Sequence, residues 1–282
     1  MKLCAVLIDG NPCVGAQTEN GIINLTAQGL PARMNEFIEG GDAALHRAAE
    51  ILQRNGLTPV DEQDVKFLPA AFPKKIVCVG LNYKSHAEET GGTAPENPVF
   101  FSKFYDALNA HKNPVTLPPW LKKFDYEAEL VIVIGKSAYN VSPEEAESVI
   151  FGYTCGNDFS ARDAQFLSSQ WLSGKSLPGF APAGPYIATR DSFDPGAPNG
   201  IFCDVNGARV QSALTNQTIF SCAKLVSTAS RFFPLSPGDL IFTGTPEGVI
   251  QGKKQEERVW LKPGDSVKVT IEGIGTLESP LV

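Results

Sequence analysis

The sequence predicts an α+β protein in which strands outnumber helices. Three observations carry this. Short apolar or alternating runs recur along the whole chain, helical spacing is confined to a few stretches, and the two do not alternate in the regular βαβ rhythm of a nucleotide-binding fold. Leu3 to Ile8 opens as a strand, the Asp9-Gly10-Asn11-Pro12 turn leads into Cys13 to Gln17, and Glu19-Asn20-Gly21 leads into Ile22 to Leu25. Met34 to Ile38 gives way at Gly40-Gly41 to a helix from Asp42 to Leu52, whose apolar spacing fits one buried face and which stops at Asn55-Gly56. A small α+β lead domain is placed over residues 1–70, with Leu68-Pro69-Ala70-Ala71-Phe72-Pro73 as the joint, and a larger domain over residues 71–282. There Ile76 to Val79, Leu130 to Ile134, Ile201 to Val205, Leu240 to Thr243 and Ser266 to Ile271 read as strands. Pro-Gly-Asp, at 237 to 239 and again at 263 to 265, is a turn that feeds the last two. Ser142-Pro143-Glu144-Glu145 is a capping box with proline at the first helical position, so a helix runs to Val149, and another fits Ile219 to Phe232.

Composition narrows the function. With 282 residues and 43% hydrophobic content the chain can bury a normal core. Its 24 basic against 31 acidic residues give a net charge of −7, which repels phosphate backbones and anionic membranes, and no Lys/Arg block reverses this. Nucleic acid and membrane are therefore not expected partners. The opening apolar run is too short for a secretory signal, and no run reaches transmembrane length. Six scattered cysteines without a C-x-x-C pair read as buried free thiols, so a cytoplasmic protein is expected.

The chemistry starts at Asp125-Tyr126-Glu127-Ala128-Glu129-Leu130. A strand has period two, so Glu127 and Glu129 face the same side, close enough to share a cation. Asp158 follows a second strand-like stretch, and all-oxygen ligation by three carboxylates suits Mg²⁺ or Mn²⁺. The bland reading of the two glutamates is the solvent face of an edge strand. In Gly80-Leu81-Asn82-Tyr83-Lys84-Ser85-His86-Ala87-Glu88-Glu89, a helical turn places Glu89 where it can hold His86 as a base, with flanking glycines to let the segment move as a lid. Glu88 competes for that partnership, and the charges also fit a solvated helix end. Lys175 sits between Trp171 and the rigid Pro178 to Pro185 loop, where an amine could meet a substrate carboxylate or an enolate. Gly244-Thr245-Pro246-Glu247-Gly248 offers amides and a hydroxyl to an anionic group, or is simply a turn. The two Gly-Lys-Ser triplets lack the earlier glycine of a phosphate loop.

In order along the chain, these motifs, joined by Gly156-Asn157-Asp158-Phe159-Ser160-Ala161-Arg162-Asp163, Ala181-Pro182-Ala183-Gly184-Pro185 and Val205-Asn206-Gly207, resemble the fumarylacetoacetate hydrolase family over roughly residues 73 to 282. The resemblance implies a roll-like mixed β-sandwich, usually a homodimer, with one divalent metal at Glu127, Glu129 and Asp158. It makes His86 and Glu89 the water-activating dyad and Lys175 the stabiliser of the developing carbanion. On the substrate side it places Gln165 and Thr245 as contacts, Arg162 as a support through ion pairing, and Lys103 as a charge that neutralises the pocket. The segment after Lys175 lacks the aspartate-threonine pair common in hydrolytic members. The implied activity is metal-dependent cleavage of a carbon–carbon bond in an acylpyruvate or related 2,4-diketo acid through a chelated enolate. Decarboxylation of oxaloacetate and isomerisation of 2-hydroxyhepta-2,4-diene-1,7-dioate are alternatives on the same site, and a non-catalytic small-acid-binding protein is the alternative of another class.

Overall fold

The computed structural model describes residues 1–282. Its frame is an 11-stranded mixed sheet whose centre is the strand Ala128–Ile134, buried at every residue. Such a strand needs cover on both faces. Leu130, Ile132 and Ile134 pack toward the second, four-stranded sheet, where they meet Ile201, Cys203, Val267, Val269 and Ile271. Val131 and Val133 point the other way, into a core shared with Phe37, Ile38, Ala48 and Ile51 of the helices Met34–Glu39 and Gly41–Leu52. The strand-dominated α+β class expected from the sequence is what forms.

The lead segment does not build a sheet of its own. Strand Lys2–Ile8 pairs antiparallel with Ala181–Thr189 of the large sheet, and its side chains share the second core with residues of the C-terminal part. Three short strands have too little apolar surface to bury alone, and joining a larger sheet also covers one of their edges. Tyr186 seals the junction by donating to Glu62 Oε2 at 2.6 Å.

The two Pro-Gly-Asp turns share one mechanism. Asp239 Oδ2 accepts from Ser236 N–H and Asp265 Oδ2 from Lys262 N–H, each carboxylate closing its own turn. The capping box at Ser142 forms in full over Pro143–Val149. The last helix is shorter than expected, Cys222–Phe232, because Ser221 caps it and Ile219 is held by the Asn82 carbonyl instead. The stretch expected as a rigid loop contains the strand Ala181–Thr189, prolines included. Its ladder with Ile150–Asn157 shifts register between Tyr153 and Cys155, where the missing proline N–H groups are tolerated. All six cysteines are free and five are buried, and no helix is long and apolar enough to cross a membrane.

His111 gives the fold an acid limit. It is buried edge-on against Phe67, and its Nδ1 accepts from Glu278 N–H, which requires the neutral ring. Burial, and then the Lys112 charge, push its pKa down to about 4. A depressed histidine costs nothing above its ordinary value near 6.5 and destabilises the fold as pH falls below that toward 4. Urea unfolding should therefore show a loss of about 2 kcal/mol between pH 7 and pH 5 in the wild type, absent from His111→Asn. An equal loss in both would remove His111 from the acid limb.

Candidate active site

Strand register assembles the acids. In the antiparallel ladder between Ala128–Ile134 and Ile150–Asn157, Glu129 lies opposite Gly156 and Ala128 opposite Asn157. Continuing that pairing past the strand ends, Asp158 N–H donates to the Glu127 carbonyl and Glu127 N–H to Asn157 Oδ1. The carboxylates of Glu127, Glu129 and Asp158 consequently converge, with one oxygen of each within 4.8 Å of the others, all three buried. A solvent-facing edge strand is thereby excluded.

Three cations lie against this cluster. Lys175 Nζ bridges Glu127 Oε2 at 2.7 Å and Asp158 Oδ2 at 2.8 Å, and lies 5.2 Å from the centre of the Phe101 ring. It arrives there because Gly174 packs against the turn Arg162–Gln165; a Cβ at 174 would stand 2.4 Å from Gln165 N. Arg162 donates to Asp125 Oδ2, Glu127 Oε1 and Gln165 Oε1. Lys103 occupies a different place from the one expected. It is not on the cavity wall but behind Asp158, donating to the carbonyls of Phe159 and Phe180 and pairing with Asp158 Oδ1. Its strand ends inside the protein, so its charge faces the cluster from below.

The four charges respond differently to burial. Burial alone would raise the pKa of Glu127, but Lys175 and then Arg162 hold it well below the usual carboxylate range. Burial would lower Lys175, and Asp158 and Glu127 raise it instead. Burial dominates at Lys103 and lowers it. Glu129 is pushed well above the carboxylate range by burial, then by the charges of Asp158 and Glu127. It has no salt-bridge partner: its Oε2 accepts only the Gly244 N–H, at 2.8 Å. Asp158, by contrast, is held between Lys103 and Lys175. A divalent cation would supply the counter-charge that Glu129 lacks, and oxygen donors from three carboxylates suit a hard ion, so the residues fit the metal expected from the sequence.

Above the triad opens a cavity of about 400 Å³. His86 lines it from the helix Lys84–Glu89, with Nδ1 2.8 Å from Glu89 Oε1. The helix phase decides between the two glutamates: Glu88 points outward to Lys84, while Glu89 turns in and its Oε2 accepts from Gly248 N–H at 3.0 Å. Gln165 and Thr245 also line the cavity. Thr245 is positioned by Gln211, which donates to its hydroxyl and accepts from Ala128 N–H, tying the Gly-Thr-Pro turn to the ligand strand. That turn needs glycine at 244, where φ is +97° and a Cβ would stand 2.8 Å from Asn82 Cβ.

Sequence reasoning missed four contributors. Asp125 pairs with Arg162 and also accepts from the N–H groups of Ile250 and Gln251, so one carboxylate fixes a cation and a loop. It stands in the same motif two residues before Glu127 and shares its parity, which is the available signal. Gln211, Trp171 and Arg258 carried none.

A strand-built cavity floored by convergent carboxylates, with a histidine–carboxylate pair on its wall, has the make-up of an enzyme site. The chain belongs to the fumarylacetoacetate hydrolase family, whose description "Fumarylacetoacetate (FAA) hydrolase C-terminal" matches residues 75–282. It is 38% identical over 279 residues to oxaloacetate tautomerase fahd2, mitochondrial, of Xenopus laevis, covering 96% of this chain and 86% of that one. Fumarylacetoacetate hydrolase from Exiguobacterium antarcticum superimposes with TM-score 0.87 at 32% identity, covering 100% of this chain and 99% of that one. Maleylpyruvate hydrolase from Sphingobium sp. SYK-6, in complex with manganese(II) ion and pyruvate, does so with TM-score 0.82 at 26% identity and the same coverage.

Glu129 yields a prediction with a defined sign. A carboxyl raised in the folded state stabilises metal-free protein at low pH and loses that stabilisation as pH rises through the raised value. Glu129→Gln keeps an oxygen for Gly244 N–H and removes the buried charge. At neutral pH in EDTA it should melt about 2–4 °C above wild type, and it should lose the upward shift that excess Mg²⁺ or Mn²⁺ gives wild type. A variant that melts lower in EDTA and still responds to metal would remove Glu129 from the ligand set.

Proposed function

We propose that this enzyme interconverts the keto and enol forms of a 2-oxo acid with the help of a divalent metal. The observation that carries the reading is the His86–Glu89 pair. Glu89 occupies Nδ1, so the neutral ring keeps its proton there and leaves Nε2, without a protein partner, as a base in the cavity. Full-length similarity to proteins named oxaloacetate tautomerase supports the same reaction class.

Glu127, Glu129 and Asp158 would hold a divalent ion, and such an ion would supply Lewis-acid polarisation of a keto acid bound in the cavity. His86 Nε2 takes the proton from the carbon next to the carbonyl, and the electron pair of that C–H bond moves toward the keto oxygen. Lys175 faces the charge that builds there. Delivery of the proton to that oxygen gives the enol, and the reverse sequence gives the ketone. Glu89 balances the positive charge that the His86 ring holds between the two transfers, and Gly248 N–H keeps Glu89 in place.

Hydrolysis of an acylpyruvate is the second reading. The cavity of about 400 Å³ is larger than a four-carbon acid fills, leaving room for an acyl tail and a water that the same base could activate. We retain the homodimer as a proposal, checked by sedimentation velocity, and a reducing compartment such as the cytosol as the setting that suits six free thiols.

Oxaloacetate enol absorbance and pyruvate release from acetylpyruvate, followed side by side, separate the readings. Mg²⁺-loaded wild type should accelerate decay of the enol signal well above buffer, EDTA should abolish this, and His86→Ala should lower kcat/KM about 10²-fold or more. If acetylpyruvate is cleaved and the enol signal decays only at the buffer rate, the hydrolytic reading replaces the first.

A further inference from the structure

Among the cations on the cavity wall, those at the floor are engaged. Arg162 spends its nitrogens on Asp125, Glu127 and Gln165, and Lys175 bridges Glu127 and Asp158. Arg258 differs. It lines the same cavity, its Nε donates to the Lys253 carbonyl at 2.9 Å, and its two terminal nitrogens have no hydrogen-bond or salt-bridge partner. It is half-buried between the exposed run Lys254 to Glu257 and the exposed Val259, so it stands at the rim while the triad stands at the floor.

The arm bearing Arg258 is fixed to the floor. Asp125, which pairs with Arg162, also holds the N–H groups of Ile250 and Gln251. Gly252 lies against the Glu89 carboxyl, where a Cβ would come within 2.5 Å. The Nε bond orients the guanidinium before any ligand arrives, and the remaining planar edge of two N–H-bearing nitrogens is the one that grips a carboxylate bidentately. Preorganisation of this kind lowers the ordering cost of binding.

We propose that Arg258 is a specificity-determining residue that binds a second, distal carboxylate, so that the preferred substrate is a 2-oxo diacid with its keto-acid head at the triad and its tail at the rim. This rests on the keto-acid reading above, which it narrows to diacids.

The test is calorimetric and needs no turnover. Mg²⁺-loaded protein is titrated with oxalate, then with oxaloacetate, 2-oxoglutarate and 2-oxoadipate, each beside the unbranched 2-oxo monoacid of equal chain length. In wild type at least one diacid should bind about tenfold or more tighter than its monoacid. Arg258→Gln should cut that preference by about tenfold, and Arg258→Lys, which keeps the charge without the fork, should fall between. A wild type with no diacid preference, or variants in which diacid and monoacid weaken together, overturns the assignment of Arg258. Failure of wild type to bind oxalate or any 2-oxo acid strikes the keto-acid reading itself, and the diacid inference falls with it. Unchanged circular dichroism and melting of the variants show that the arm is intact.

Discussion

Buried charge imbalance is the constraint around which this molecule is organised. Asp125, Glu127, Glu129 and Asp158 lie under a cavity floor with only Arg162, Lys175 and Lys103 to answer them. In a low-dielectric interior each carboxylate must find a partner or give up its charge. Three find one and Glu129 does not. The imbalance thus falls on one carboxyl, Glu129, which accepts only the Gly244 N–H and gives up its charge in the absence of a cation. A site of that kind holds its shape through the pairs it has and attracts a cation through the pair it lacks.

The fold supplies the rigidity that such a cluster needs. Its carboxylates come from the ends of two neighbouring antiparallel strands whose backbones bond to each other directly beyond the last ladder pair. Two of the counter-charges come from short helical turns locked together at Gly174, the third from the end of the strand Val99–Lys103, and the opposite wall from the turn at Gly244. Gln211 and Asp125 each bond to two of these pieces at once, so the walls and the floor move together or not at all.

Much of this was legible in the sequence, and the remainder was hidden for identifiable reasons. Period two put Glu127 and Glu129 on one side, and the capping box fixed Pro143–Val149, because both signals are local. The convergence of Asp158 with them depends on which strands are neighbours, and no run of residues states that. Lys103 was misplaced because a lysine beside a pocket motif reads as a wall residue, whereas its depth is set by where the strand Val99–Lys103 ends against Phe159 and Phe180. The proline-rich stretch at 181 to 185 reads as a loop because proline lacks a ladder donor; Pro185 is accommodated where its own strand carries the extra residues of a register shift, between Gly184 and Ala188. Arg258 sits in the run Lys253-Lys254-Gln255-Glu256-Glu257-Arg258, which has the composition of a solvated surface and gives no hint that its last member turns inward.

The division between floor and rim bears on how one site can serve related reactions. Chelation and charge neutralisation at the floor are common to enolisation, decarboxylation and hydrolysis of keto acids, so the triad and Lys175 cannot distinguish among them. What differs is where a proton is delivered, whether a water is admitted and what lies at the far end of the substrate. On the proposed reading those choices would fall to His86 with Glu89, to the turn at Gly248 that holds Glu89, and to the arm from Ile250 to Arg258. Because Glu89 touches that arm at Gly252, the base and the rim are one mechanical unit. A substrate tail seated at the rim would therefore steady the base that acts on its head, and the selectivity of the reaction would follow from the length and charge of the tail.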